Sequence, residues 1–199
     1  MLDDAMWAFG RASGIVSLAL LTVTVLLGIV SRSGRPLPGL PRFSVSIVHR
    51  NTALMATVFL VLHVGTLLLD NYAHLNLTDV LVPFVGADKP LWLGLGTVAF
   101  DLFLTVTITA LLRARIGTRA FRAFHWLAYA MWPIALLHGV FDGTNGTSGW
   151  FLLGAAVALA AMLAAVIWRI SAGFMETARM PSRRRREADA PDFQLRRTP

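Results

Sequence analysis

The sequence predicts an all-α membrane protein, a bundle of five transmembrane helices with its N-terminus outside and its C-terminus in the cytoplasm. Three observations support this fold class. Of the 199 residues, 56% are hydrophobic and only 15% are charged, whereas about a quarter of an average soluble domain is charged. Five apolar runs each approach the roughly 20 residues that a spanning helix needs. Basic residues are concentrated in alternate connections and in the C-terminal tail.

The predicted helices follow these apolar runs. They cover 12–30, 44–69, 91–112, 123–141 and 150–168. Because backbone groups in lipid must find their hydrogen-bond partners within the segment, uninterrupted runs of this length predict helices. The first run is interpreted as a span and not as a cleaved leader, since it is long enough to span and Asp3 and Asp4 precede it in place of basic residues. We therefore expect residues 1–172 to form one transmembrane domain.

The distribution of charge predicts the orientation. Arginines lie after the first, third and fifth runs, namely Arg32, Arg35, Arg42, Arg113, Arg115, Arg119, Arg122 and those from Arg169 onward. The other connections hold Lys89 and four aspartates, Asp70, Asp79, Asp88 and Asp142. The positive-inside rule then places the arginine-rich side in the cytoplasm of a multi-pass protein of the bacterial cell membrane. The high pI is explained by this topology and does not predict a nucleic-acid partner.

The C-terminal segment 173–199 differs in composition from the rest of the chain. It is rich in Arg, Asp and Pro and has no apolar periodicity. Such a composition predicts a disordered cytoplasmic tail, with membrane lipid as a partner for its basic residues.

Cysteine is absent from the sequence. Disulfides, cysteine-ligated iron–sulfur clusters and covalently attached c-type haem are therefore excluded. Histidine remains as the candidate metal ligand.

Four histidines lie within apolar runs. His49 and His63 are 14 residues apart in the second run, so an α-helix places them about 21 Å apart along its axis and about 40° apart around it. His125 and His138 are 13 residues apart in the fourth run. Since one return helix separates the second and fourth helices, these two run parallel. We therefore predict an inner pair, His49 and His125, and an outer pair, His63 and His138.

Paired imidazoles from facing helices are a natural set of axial ligands for haem inside a helix bundle. A single intramembrane histidine more often serves as an interhelical hydrogen-bonding group, but two pairs at matched depths favour two b-type haems. The alternative from another class is a haem-free metal transporter whose histidines line a path. Transporters of this kind have helices broken by paired Gly or Pro, and no predicted span here has such an interruption. The midplane also offers only Asp101 as a charged group.

Some features are not explained by the pairing. A 13-residue gap leaves His125 and His138 about 140° apart on an ideal helix, so we expect a distortion at Pro133, which lies between them. His74 has no partner at its depth and is interpreted as a surface residue. Asp101 is either functional or a protonated group hydrogen-bonded to a threonine of a neighbouring helix.

The sequence resembles the ferric reductase-like transmembrane domain superfamily over about residues 7–141. That superfamily includes ferric reductases, the membrane half of NADPH oxidases and the haem-binding membrane subunit of the periplasmic methionine sulfoxide reductase system. The shared features are "GRASG" in the first span, histidines separated by 13 and then by 12 residues in the second and fourth spans, "LLRARIGTRAFRAFH" entering the fourth, and "HWLAY".

The resemblance implies two haems b, with His49 and His125 as axial ligands of the inner haem iron and His63 and His138 as those of the outer one. It also implies that Arg11 lies near the outer haem propionates or the electron acceptor. Arg50, adjacent to His49, is assigned to cofactor binding, and no residue is assigned a catalytic role.

The function implied is an oxidoreductase component that carries electrons from a cytoplasmic donor to an extracytoplasmic acceptor. Since the sequence lacks the flavin and nicotinamide domains of the fused relatives, we expect the donor to be a separate flavoprotein or a quinol. A membrane haem subunit feeding a periplasmic reductase, such as a methionine sulfoxide reductase, is the alternative within the same class. Those subunits typically lack the histidine that corresponds to His49.

Overall fold

The computed structural model describes residues 2–33, 41–70, 73, 75–86 and 89–171, and all regular structure within these ranges is helical. The tail 173–199 and His74 lie outside the described residues. The helices are α1 (Leu2–Ser33), α2 (Arg42–Leu69), α3 (Leu77–Leu81), α4 (Pro90–Leu111), α5 (Arg113–His125), α6 (Ala128–Phe141) and α7 (Gly149–Ile170).

Four helices are long and apolar enough to cross a membrane, namely α1, α2, α4 and α7. They match the first, second, third and fifth predicted spans, although α1 begins ten residues earlier than predicted. The predicted fourth span, 123–141, is not a single helix. Its apolar part is α6, whose 14 residues rise about 21 Å, so the count of five long spans is not confirmed.

Helices α1 and α2 form a closely packed antiparallel hairpin. Small residues line the contact: Ser13 and Ala56 are buried, and the buried hydroxyl of Ser17 donates to the Ala56 carbonyl oxygen at 3.3 Å. Small side chains let helix backbones approach closely, which replaces the hydrophobic driving force that lipid does not supply.

The contacts of α6 give its direction. Trp132 donates from its indole nitrogen to the Thr22 hydroxyl at 2.9 Å, while Gly139 lies beside Leu18. Higher residue numbers on α6 thus lie beside lower ones on α1, so these two helices are antiparallel. Since α2 is also antiparallel to α1, α6 runs parallel to α2. The sequence prediction for these two helices is thus confirmed.

A buried apolar cluster occupies the middle of the bundle. Its members come from α1, α2, α4, α6 and α7, namely Leu21, Val25, Ala56, Phe103, Met131, Trp132, Leu136 and Met162. Trp132 and Met131 are each only 2% exposed. This cluster holds the helices together at a level between the two histidine pairs, because it includes residues about midway along α2 and α6.

The expected distortion of the fourth span lies closer to its start than Pro133. Pro133 is inside α6, and the irregular residues are Trp126 and Leu127. Backbone hydrogen bonds from Leu127, Tyr129 and Ala130 run to the third preceding residue. Pro133 cannot donate to the Tyr129 carbonyl and its ring crowds that oxygen, so the tighter winding falls in the preceding turn. Each residue wound at three per turn advances about 20° more than an α-helical one, which turns His138 toward the side of His125.

Two short helices were not predicted. Helix α3 begins with a reciprocal capping box between Asn76 and Asp79, a pattern that the sequence contains. Helix α5 carries four exposed arginines and has no buried residue. It bends at Gly117, whose φ of 79° and ψ of 167° lie in a region that is essentially restricted to glycine.

Candidate functional site

The inner pair brings histidines from α2 and α5 together. The ring centres of His49 and His125 are 6.2 Å apart, with ring planes at 78°. Two imidazoles bound to opposite sides of one metal ion have centres about 6 Å apart, since each metal–nitrogen bond is about 2 Å and each ring centre lies about 1 Å behind its nitrogen. The spacing of the inner pair therefore matches a shared ion between the rings.

The outer pair lies on one cavity of about 370 Å³, within the usual range of about 300–1,000 Å³ for ligand pockets. His63 from α2 and His138 from α6 both line it. The cavity reaches from Trp7 and Asn145 at one end of the bundle to Phe103 in the apolar cluster. It is thus a mainly apolar pocket with two imidazoles and a polar mouth.

Three of the four histidines are oriented by backbone carbonyl groups of a neighbouring helix. Nδ1 of His63 lies 2.7 Å from the Gly10 oxygen, and Nδ1 of His49 lies 2.9 Å from the Thr24 oxygen. Nδ1 of His138 lies 2.9 Å from the Trp92 oxygen. A carbonyl oxygen can only accept, so Nδ1 carries the proton and the Nε2 lone pair is available to a metal.

Glycines make these contacts possible. A Cβ atom at Gly14 would lie 2.8 Å from His63, and one at Gly96 would lie 2.6 Å from His138. At Gly28 it would lie 3.3 Å from His49. The first two separations are closer than real Cβ contacts. At Gly14 and Gly96 the imidazole therefore occupies the space that the side chain of any other residue would need.

His125 is the exception among the four. Its Nδ1 is buried and has no hydrogen-bond partner within the described residues. Near it, Arg169 of α7 donates to the Tyr129 hydroxyl at 2.7 Å and lies 4.6 Å from the centre of the Trp126 ring. The turn that follows His125 is therefore attached to α7 by a cationic side chain.

Arg11 lies at the mouth of the outer cavity. Its guanidinium carbon is 3.7 Å from the centre of the Trp7 ring, a cation–π contact. Its Nε is buried without a partner among the described residues. Asp142, one turn after His138, also lines the mouth and lies 3.8 Å from His138 Nδ1. The mouth thus combines a cation that has an unused donor with carboxylates.

The remaining candidates stay apart from these two sites. Arg50 is exposed on α2, and its assignment to a cofactor stays a prediction. The Asp101 carbonyl accepts from the Thr105 hydroxyl of the same helix at 2.8 Å. Within the described residues no hydrogen bond joins its carboxylate to a threonine of another helix, so the predicted bond is not found there.

The ligand sets fit a haem better than a bare metal ion. Each site offers two imidazole nitrogens, and the described part of the chain contains no group of three or more His, Cys, Asp or Glu side chains that could hold a metal ion. Protein zinc sites use three or four protein ligands, whereas a haem supplies four nitrogens of its own and needs only axial ligands. The apolar lining of the outer cavity also suits a largely apolar cofactor.

Together these features define a multi-pass helical membrane protein with two stacked histidine pairs in its interior. The chain belongs to the family of ferric reductase-like transmembrane components, whose model matches residues 13–137, more than half of its length. Three of the four paired histidines, His49, His63 and His125, fall inside the matched region, and His138 is the next residue after it. No curated protein and no solved structure matches the chain.

Proposed function

We propose that this protein is a dihaem b-type electron carrier that passes electrons across the membrane to an acceptor outside the cytoplasm. The inner pair, His49 and His125, would hold one haem, and the outer pair, His63 and His138, the other. Haem iron supplies one-electron chemistry when bound. The observation that carries the proposal is that two pairs of imidazoles lie at matched depths, one with ring centres 6.2 Å apart and the other lining one cavity. In three of the four rings Nδ1 is bonded to a backbone oxygen, which directs the lone pair to Nε2.

The rest of the chain is suited to holding two such sites apart. The apolar cluster around Trp132 and Met131 excludes water from the level between the pairs. His49 and His63 are 14 positions apart on α2, about 21 Å along the helix. The protein therefore supplies fixed positions and a dry path, and no side chain is required to do chemistry.

The orientation follows from charge. The end of the bundle that holds the inner pair carries the exposed Arg113, Arg115, Arg119 and Arg122, together with Arg32 and Arg169. The end that holds the outer pair carries Asp4, Asp70, Asp79 and Asp142 against Arg11 and Lys89. The positive-inside rule supports a cytoplasmic inner pair. A separate flavoprotein or a quinol would be the donor on that side.

The acceptor would react at the mouth of the outer cavity. If His63 and His138 both hold the outer haem, the acceptor would take its electron at this mouth without binding the iron, so reduction would be outer-sphere. The side chains at the mouth, Arg11 and Asp142 among them, are then the groups that position the acceptor. A soluble reductase protein in place of a small acceptor would use the same mouth.

The decisive experiment is haem quantification in purified, fully loaded protein, together with a reduced-minus-oxidised spectrum. We expect two haems b per chain with the spectrum of six-coordinate low-spin iron. One haem per chain would reject the dihaem proposal and favour a single-haem subunit that feeds another reductase. No haem would reject electron transfer altogether and would return metal transport to consideration.

A further inference from the structure

The three carbonyl-oriented histidines share one structural rule that connects α1, α2, α4 and α6. His63 donates to Gly10, four residues before Gly14, the glycine that the same ring contacts. His49 donates to Thr24, four residues before Gly28, which it also contacts. The third case is His138, with Trp92 and Gly96. The same four-residue relation thus occurs three times.

The rule has a simple origin in helix geometry. The carbonyl of residue i points toward the amide of residue i+4, so the side chain at i+4 normally covers the free flank of that carbonyl oxygen. Glycine at i+4 leaves the flank open, and an imidazole from the neighbouring helix can then reach the oxygen. The 14-residue spacing of Gly14 and Gly28 equals that of His49 and His63, as an antiparallel hairpin requires.

The fourth histidine lacks this arrangement. On α4, antiparallel to α6, the position 13 residues beyond Gly96 is Thr109. Its hydroxyl donates to the Thr105 carbonyl at 2.6 Å, so the Thr109 side chain covers the flank of that oxygen that a glycine would leave open. The buried Nδ1 of His125 correspondingly has no partner within the described residues. The absence of glycine and the absence of the hydrogen bond coincide.

We infer that Gly14, Gly28 and Gly96 are positioning residues, each of which seats one haem-ligating histidine by opening a backbone carbonyl to its Nδ1. This inference rests on the proposed function and adds the groups that aim the ligands. It assigns Gly14 and Gly96 to the outer haem and Gly28 to the inner haem. It also ranks them, since the Cβ clash is severe at Gly96 and Gly14 and mild at Gly28.

The test is a set of single alanine substitutions in the full chain, with haem content and low-spin EPR signals measured for each purified variant. We expect Gly14→Ala and Gly96→Ala to lose at least half of the outer haem and to keep the inner signal. Gly28→Ala should retain both haems and shift only the inner signal. The imidazole is the part that can move, so the helices should still assemble, which circular dichroism and gel filtration check.

Two glycines serve as matched controls. A Cβ atom at Gly65, two residues from His63, or at Gly154 on α7 would meet nothing within 4 Å. Gly65→Ala and Gly154→Ala should keep two haems with unchanged signals. If Gly65→Ala behaves like Gly14→Ala, or if Gly14→Ala and Gly96→Ala keep wild-type signals, the seating role is wrong.

A gentler variant tests the carbonyl itself. Ser13 also donates to the Gly10 oxygen, at 2.9 Å, and so shares that acceptor with His63. Ser13→Ala removes the competing hydroxyl and leaves His63 as the one side-chain donor to this oxygen among the described residues. The stronger hydrogen bond makes the imidazole a stronger electron donor to the iron and lowers the outer midpoint potential. An unchanged outer potential would overturn the proposed influence of the carbonyl.

Failure of the proposed function itself would look different. Wild-type protein that binds no haem would reject that function. The positioning role of the three glycines would then be tested by nitrogen-15 NMR of labelled histidine. The positioning role predicts three rings protonated at Nδ1 in the wild type and the loss of one such signal in Gly96→Ala. Wild-type rings without Nδ1 protonation would overturn this role.

Discussion

At the scale of single residues, the four paired histidines do not have equivalent surroundings. His49, His63 and His138 each donate to a backbone oxygen of another helix, which fixes ring orientation and tautomer together. His125 is instead placed by the turn that follows it, where Arg169 contacts Trp126 and Tyr129. Two different sets of contacts therefore hold the two histidines of the inner pair.

Removing one histidine should remove only the haem of its own pair. We expect His63→Ala or His138→Ala to reduce the content from two haems per chain to one and to leave the inner signal intact. His49→Ala or His125→Ala should do the reverse, because a haem that lacks one axial ligand is poorly retained. Haem assay and difference spectra measure this, with His74→Ala as the matched control. Loss of the same haem from the His49 and His138 variants would contradict the pairing.

Arg11 should tune the outer site. Its positive charge at the mouth of the cavity favours the reduced, less positive form of a nearby haem. Arg11→Gln is therefore expected to lower the outer midpoint potential by tens of millivolts, on the scale of about 59 mV per tenfold change for one electron. It should also slow oxidation by anionic ferric chelates.

Potentiometric titration of the Arg11 variant provides the measurement. Arg119→Gln is a suitable control, since Arg119 is exposed on α5 at the opposite end of the bundle. An unchanged outer potential, together with unchanged oxidation by ferric citrate, would reduce Arg11 to an anchor at the membrane interface.

At the scale of elements, the junction between α5 and α6 is the unusual part of the fold. A strict α-helix over 125–138 would leave the two histidines about 140° apart. The tight turn ahead of Pro133 corrects part of this difference, because its hydrogen bonds run to the third preceding residue. Proline thus acts on the turn before it and not at its own position.

Replacing this proline should disturb the ligands without unfolding the bundle. Pro133 is exposed, and Pro133→Ala restores an amide donor for the Tyr129 carbonyl. We expect normal α-helical winding to return and to rotate His125 away from His138, which lowers the haem content below two per chain. Pro90→Ala is the control, because Pro90 is the first residue of α4 and costs no internal hydrogen bond. Unchanged haem content and EPR signals in Pro133→Ala would contradict this role.

At the scale of the whole molecule, the two ends of the bundle differ in charge. The arginines of α5 and of the ends of α1 and α7 lie on the side of the inner pair, and most of the described aspartates lie on the side of the outer pair. An asymmetry of this kind orients insertion. It also places the mouth of the outer cavity on the acidic side, where cationic acceptors would arrive faster at low salt.

The cysteine-free sequence makes the orientation directly testable. Thr144 and Arg119 are both exposed, at opposite ends of the bundle. With a membrane-impermeant thiol reagent on intact cells, Thr144→Cys should be labelled at once. Arg119→Cys should be labelled only after the cells are permeabilised. The reverse pattern would mean that the inner pair faces outward.

The sequence by itself determined the membrane-spanning character and the bounds of four helices to within a few residues apart from the start of α1, and it singled out the four histidines proposed as haem ligands. Those features depend on local hydropathy and on the fixed rise and rotation of a helix, which a single segment contains. Only the tertiary structure decided that α5 and α6 are separate, since that outcome depends on how the chain accommodates Pro133. It alone joined each seated histidine to its glycine and carbonyl, because such a contact is set by the register between two helices that are distant in sequence.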